Sequence, residues 1–328
     1  MRKNSGRFVG LLLCIALVCT ACGGTDKGDT DTTATTTTTV PTTTTTRTPT
    51  TTQKAQASSG LLTNAPDGKT FDPELLSRLS AVCRDHKNEI SIYYKDLKIG
   101  YSIEFRADEI YQTASVIKAP YVKYLLESGA DLTKKLKSSN KQGYSYIDKY
   151  PEGTEFTVKE LMEYAVRYSD NTAYYVLNKE FGFNGFNAYA KKLGIRANAD
   201  RNLVLQFSKP RFGYLSARDA GLYFEDIANY IEGTDERQKL LKEWLTTTTV
   251  DGMLADALGK TYTLAHKYGQ QDLGYAAGRA YHDAAIVYSP NPYVLTILST
   301  MKADATADKV FKDVALLIDS IQAQMYQG

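Results

Sequence analysis

Histidine and cysteine are scarce in this 328-residue chain, and that scarcity removes several chemistries at once. The three histidines, His86, His266 and His282, show no metal-ligand spacing, and no cysteine pair supports zinc, so neither a metal nor another cofactor is expected. No Gly-x-Ser-x-Gly elbow occurs, which argues against a Ser-His-Asp hydrolase; His282-Asp283 at a strand start reads as a packed or capping pair. A large excess of charge of one sign is also missing. A formal net charge of +2, with no basic aromatic stripe, argues against a nucleic-acid partner. No apolar run is long enough to span a bilayer: the stretch Phe8 to Val18 is too short.

That short run follows Arg2 and Lys3 and ends in small residues at Cys22, the pattern of an export signal over residues 1–21. Thr20-Ala21-Cys22-Gly23 is similar to a lipoprotein processing site, with Cys19 where leucine is usual, so Cys22 is expected to be lipidated and the chain held at the outer face of a membrane. Thr32 to Thr52 is almost all threonine with Pro41 and Pro49. Residues 22–60 therefore read as a tether, about 35 Å long as a coil, that cannot build a core. With the signal removed, Cys22 and Cys83 remain, and since Cys22 is acylated no disulfide is expected; Cys83 falls in the apolar pattern Leu75, Leu76, Leu79, Val82 and reads as core. Residues 61–328 are enough for one substantial core or two lobes sharing a cleft, and a monomer is expected.

Within that part three short motifs stand out. Ser115-Val116-Ile117-Lys118 lies where the irregular stretch Arg106 to Thr113 gives way to a helical pattern through Val122, Leu125 and Leu126. A serine at a helix N-terminus meets unpaired N–H groups, and a lysine three residues on shares its face; partly desolvated, that lysine can accept the serine proton. Pro120 predicts an irregular first turn. Taken alone, Ser115 reads first as an N-cap and Lys118 as a solvated lysine, and Ser-x-x-Lys recurs at Ser138 and Ser299.

Ser169-Asp170-Asn171 follows 54 residues later (169 − 115), between the periodic runs Val158–Val166 and Ala173–Leu177. Such a triplet is by itself a capping sequence. Lys267-Tyr268-Gly269 lies on the strand-forming stretch Thr261–Gly269, ahead of strands at His282–Ser289 and Tyr293–Thr300. A lysine on an edge strand is ordinarily a solvated guard, and a glycine there admits a close approach to the backbone.

In this order the three motifs resemble the penicillin-recognising serine enzymes, most closely the class A β-lactamase branch. The resemblance runs from about Phe71 to Met325. It implies an α+β fold of the β-lactamase/transpeptidase type: a five-stranded antiparallel sheet flanked by N- and C-terminal helices (Asp72–Lys87 and Ala305–Tyr326), plus an all-α lobe. The sheet lobe would take 61–106 and 251–328, and the helical lobe 107–250. It also implies roles: Ser115 as nucleophile, Lys118 as base, and Ser169 as proton relay to the leaving group. Asn171 would bind the substrate amide while Asp170 braces its loop. Lys267 would hold an anionic substrate and polarise Ser169, and the N–H groups of Ser115 and Gln270 would form the oxyanion hole.

Two departures from the family pattern bear on function. Tyr268 stands where the family has threonine or serine, which puts carboxylate recognition in doubt; Arg279 is a weak substitute. And the stretch Ile195 to Tyr214 contains no glutamate, whereas class A enzymes carry there the base that activates the deacylating water. Asp200 reads as a turn residue, and Leu203-Val204-Leu205-Gln206 keeps an apolar centre without a base. Three functions stay open: a β-lactamase or related serine hydrolase, a peptidoglycan D,D-peptidase on cell-wall peptides, and a binding protein acylated by β-lactams with little turnover. Tyrosine is plentiful at 24 residues; Tyr144 and Tyr146 read as packing residues, with a cleft rim as the alternative.

Overall fold

The computed structural model describes residues 60–65, 69–196, 212–249, 253–272 and 278–327. The export signal, Cys22 and the threonine tract lie outside the described residues, as do Asp200 and Leu203-Val204-Leu205-Gln206.

The chain enters through β1 (Leu61–Asn64), α1 (Pro73–Asp85), β2 (Ile90–Asp96) and β3 (Ser102–Phe105). It then leaves the sheet through β4 (Ile110–Gln112), a 3-10 turn at Ala114–Ile117, α2 (Lys118–Glu127), β5 (Lys135–Lys137), β6 (Glu155–Thr157), α3 (Val158–Arg167), α4 (Asn171–Phe181) and α5 (Asn184–Lys192). After β7 (Tyr214–Ser216), α6 (Ala217–Ile231), α7 (Glu236–Thr246) and α8 (Met253–Leu258), it returns as β8 (Leu264–Gln271), β9 (Ala280–Val287), β10 (Tyr293–Ser299) and α9 (Ala305–Gln324). The sheet order β1-β3-β2-β10-β9-β8 is antiparallel throughout, so β10 against β2 joins the two ends of the domain.

The five strands expected from sequence are present, and β1 makes a sixth. Leu61 pairs with Phe105 and Asn64 with Ser102; a four-residue strand beside the tether carries too little alternation to be read before its partner is known. Two small strand pairs, β4 with β7 and β5 with β6, accompany the helices of the second lobe.

Period-2 alternation sorts the strand residues between two cores. On β10, Tyr293, Leu295 and Ile297 face α1, α8 and α9, whereas Val294 and Leu298 face the helical lobe. Being covered on both faces, β9 and β10 are buried along their whole length. The Pro73 start of α1 is capped by Asp72, and Cys83 on its buried stripe is free, its thiol pushed up to about 12 by burial. The apolar residues of α9 recur at helical spacing (Val310, Val314, Leu317, Ile321) over that same face. On the other face α6 approaches so closely that a Cβ at Gly221 would sit 2.1 Å from the Tyr93 ring. Glycine costs a helix about 1 kcal/mol there but admits the ring, whose hydroxyl reaches Glu225 at 2.6 Å. Both cores thus lock the sheet in place, and β8 is left as the edge that faces the helical lobe.

Candidate active site

Ser115 is in the 3-10 turn, half-buried, one residue after Ala114 at φ 42. In a 3-10 turn residues i and i+3 eclipse, and the Lys118 N–H closes that turn on the Ser115 carbonyl, so the two residues of the motif share one face of it. Pro120 falls within the first turn of α2, where an interior hydrogen bond is not yet needed. The Lys118 side chain is fully buried and its Nζ donates to the Ser169 carbonyl at 2.6 Å and to Asn171 Oδ1 at 2.7 Å. The rings of Tyr174 and Phe212 lie 5.8 and 5.6 Å away. Burial, and then repulsion from Lys267, hold its pKa well below the usual lysine range, against the pull of Asp170. The other Ser-x-x-Lys serines are occupied elsewhere: Ser138 faces the Pro151 carbonyl, and Ser299 Oγ accepts the Met301 N–H at 2.8 Å.

Ser169 is a second non-glycine residue with positive φ, at 55. This left-handed conformation, costing on the order of 1–2 kcal/mol, turns one residue toward two lysines: its carbonyl accepts from Lys118, and its Oγ accepts from Lys267 Nζ at 3.0 Å. Asp170 holds the strain in place. Its carboxylate caps α4 through the Ala173 N–H at 2.7 Å, and it accepts from Ser145 Oγ at 2.8 Å and the Ile147 N–H at 3.0 Å. Asn171 is committed at both ends, Oδ1 to Lys118 and Nδ2 to the Gly143 carbonyl at 3.2 Å.

The third motif lies on the edge strand β8, but Lys267 is no solvated guard. Its side chain is fully buried against Ser169, and burial pushes it down to about 7 while the Asp283 carboxylate opposes that fall. The Tyr268 ring lies over its nitrogen, 4.0 Å from the centroid. Burial pushes the Tyr268 phenol up, partly offset by the neighbouring Ser169 side chain. A Cβ at Gly269 would stand 2.9 Å from both Ala114 Cβ and Ser115 N, so the close approach this glycine permits is that of the serine's own turn. Gln270 is exposed and lines the cleft beside Ser115.

The family model described as "Beta-lactamase enzyme family" matches residues 74–321, three quarters of the chain and all three motifs. The chain belongs to the beta-lactamase enzyme family. It is thereby one of the penicillin-recognising serine hydrolases, with class A β-lactamase-like function. It is 28% identical over 282 residues to beta-lactamase ROB-1 of Haemophilus influenzae, covering 80% of this chain and 88% of that protein. Beta-lactamase 3 of Bacillus cereus is 26% identical, covering 69% and 74%. Among solved structures, a beta-lactamase from Chitinophaga pinensis superposes with a TM-score of 0.64 at 19% identity, covering 75% of this chain and 99% of that one. The structure of PBP-A does so with 0.62 at 20%, covering 78% and 100%.

Around the three family motifs opens a cleft of about 670 Å³. Tyr144 and Tyr146 line it, 90% and 50% exposed, so they are rim residues; the Tyr168 ring packs at a tilt against Tyr146 with centroids 5.0 Å apart. Sequence reading missed Gln112, which holds the serine turn from below. Its Oε1 accepts the Ala114 N–H at 3.0 Å, its Nε2 donates to Gln271 Oε1 at 2.9 Å, and its carbonyl meets His282 Nε2 at 2.9 Å. His282 also accepts the Ser299 N–H, and burial pushes it down to about 4, so it is a neutral core residue. Asp283 points to the opposite face and pairs with His266 at 3.1 Å; adjacent strand residues cannot pair with each other. Only the distance in space between β4, β8 and β9 marks Gln112. Arg279 is not among the described residues that line the cleft.

Proposed function

We propose that the chain opens β-lactams or related amides through an acyl-enzyme on Ser115 and releases the acyl group slowly. The observation that carries this reading is the hydrogen bonding of Lys118. A neutral amine has two N–H groups and one lone pair; the Ser169 carbonyl and Asn171 Oδ1 take the two N–H groups, which leaves the lone pair for the Ser115 proton. Ser115 Oγ attacks the carbonyl, and the oxyanion lies against the N–H groups of Ser115 and Gln270. The proton taken up by Lys118 returns through Ser169, polarised by Lys267: as Ser169 Oγ gives its proton to the leaving nitrogen it takes one from Lys118, so that both end in their starting states. The names of the relatives support a β-lactam substrate, and a variant of PBP-A has been solved as an acyl-enzyme complex with penicillin G.

Slow release follows from composition. Ile195 to Tyr214 contains no glutamate, and a positioned general base contributes about 10²–10⁴-fold. This also favours the reading of a β-lactam-acylated protein with little turnover. Intact-mass measurement over minutes to hours, beside a nitrocefin turnover assay, tests it: the expected result is a persistent penicilloyl adduct that is lost in Ser115→Ala and kept in Ser138→Ala and Ser299→Ala. Fast multiple turnover without an adduct would mean that another group serves as base; adduct formation undiminished in Ser115→Ala would remove the nucleophile assignment.

A further inference from the structure

The Lys267 ammonium has three N–H directions, and all three are taken. One goes to Ser169 Oγ at 3.0 Å, one to the Tyr268 carbonyl at 3.2 Å, and the third side is covered by the Tyr268 ring, 4.0 Å from nitrogen to centroid. With its side chain fully buried, this lysine presents no donor to the cleft. Among the described residues that line the cleft, the one with a formal charge is Asp272, an anion. The remaining lining is aromatic rings, Ala114, and neutral amides and hydroxyls, with Tyr144, Tyr146, Tyr168, Tyr268 and Phe212 supplying the rings.

From this we infer that Tyr268 is a specificity-determining residue which turns the cleft toward neutral acyl donors: β-lactams, amides or esters without a carboxylate beside the reacting carbonyl. An incoming carboxylate would have to displace the ring from Lys267 or remain unpaired near Asp272, whereas a neutral donor loses no such partner and meets ring faces on which a flat group stacks. The same displacement would uncouple Lys267 from Tyr268, so the cost falls on anionic donors alone. Burial also drives Lys267 toward its neutral form, which further weakens its attraction for an anion.

This inference rests on acylation at Ser115 and is tested by the matched pair penicillin G and penicillin G methyl ester, with the adduct on Ser115 measured by intact mass. A fluorophosphonate serves as a charge-independent label of the same serine. Wild type is expected to react with the ester at least as fast as with the acid. Tyr268→Thr, which uncovers Lys267, is expected to raise the rate with the acid about 10- to 100-fold relative to the ester, the size of a regained hydrogen bond to a charged group. An acid that reacts ten-fold faster than the ester in wild type, with no relative gain in Tyr268→Thr, overturns the inference and leaves the Ser115 acylation reading intact. Fluorophosphonate labelling that persists in Ser115→Ala, or no adduct from either β-lactam, overturns that reading first and this one with it.

Discussion

Two fully buried lysines on either side of Ser169 set the character of the site at the residue scale. Each charge raises the cost of the other, so the pair favours having at least one neutral amine, and Lys118 is the one that burial and repulsion push well down. Lys267 is held at about 7, against about 10.4 for a lysine in an unfolded chain. Between those values the unfolded chain binds a proton that the folded one does not, so stability rises with pH from about 7 to about 10, by up to about 1.4 kcal/mol per pH unit for this group. Below 7 both states are protonated and that contribution is absent. Urea midpoints between pH 7 and 9.5 are expected to climb in wild type and to climb less in Lys267→Met, with Lys118 supplying what slope remains. Identical slopes in the two proteins would show that Lys267 stays charged in the fold. Buried tyrosines such as Tyr94 and Tyr174 are shifted upward and act in the opposite sense only above that range.

At the scale of elements, catalytic geometry depends on the contact of β8 with the serine turn. The Gly269 position has no room for a methyl group, because its neighbours are the Ser115 N and Ala114 Cβ, both at 2.9 Å, and the Thr113 carbonyl at 3.2 Å. These are backbone or backbone-fixed atoms, so Gly269→Ala must push the strand and the turn apart. Overpacking of this kind costs about 1–3 kcal/mol, and a displacement near 1 Å at a reacting centre costs about 10²-fold in rate. The variant is therefore expected to lose about two orders of magnitude in Ser115 acylation while still unfolding cooperatively. A near-wild-type rate would mean that β8 yields without moving the nucleophile. The turn is supported from its other side by Gln112, and the Ser169 loop by Asp170, so each of these two motifs has one polar residue that holds its strained backbone.

For the whole molecule, the helical lobe is an insertion between β3 and β8, and the cleft forms where it meets the edge of the sheet. The sheet itself begins at Leu61, directly after the threonine-rich stretch. The proposal that Cys22 carries lipid and that the tether suspends this domain outside a membrane has a direct test. In the native host Cys22→Ser is expected to move the protein from the membrane fraction to the soluble fraction, with Ser115 acylation unchanged. Equal partition of both forms would reject the lipid anchor.

How much was legible beforehand differs by residue. Leu295 and Ile297 alternate with Val294 and Leu298, and α9 repeats Val310, Val314, Leu317, so the sheet and its covering helices were readable from period alone. Ser115, Lys118, Ser169 and Lys267 were legible as motifs because their chemistry is carried by short, ordered spacings. β1 was not, since four residues carry too little pattern, and neither was Gln112, whose work is done across 159 residues to Gln271. Tyr268 was visible as a departure, but its covering of Lys267 was not: strand alternation places neighbouring side chains on opposite faces, so nothing in the sequence pattern puts the ring over the lysine. Composition and spacing thus determined the class of fold through the ordered motifs and their family resemblance, which also named the groups proposed to react. How far each lysine is pushed toward its neutral form, and what reaches Lys267, depend on burial and on contacts between distant segments, so only the tertiary structure decided them.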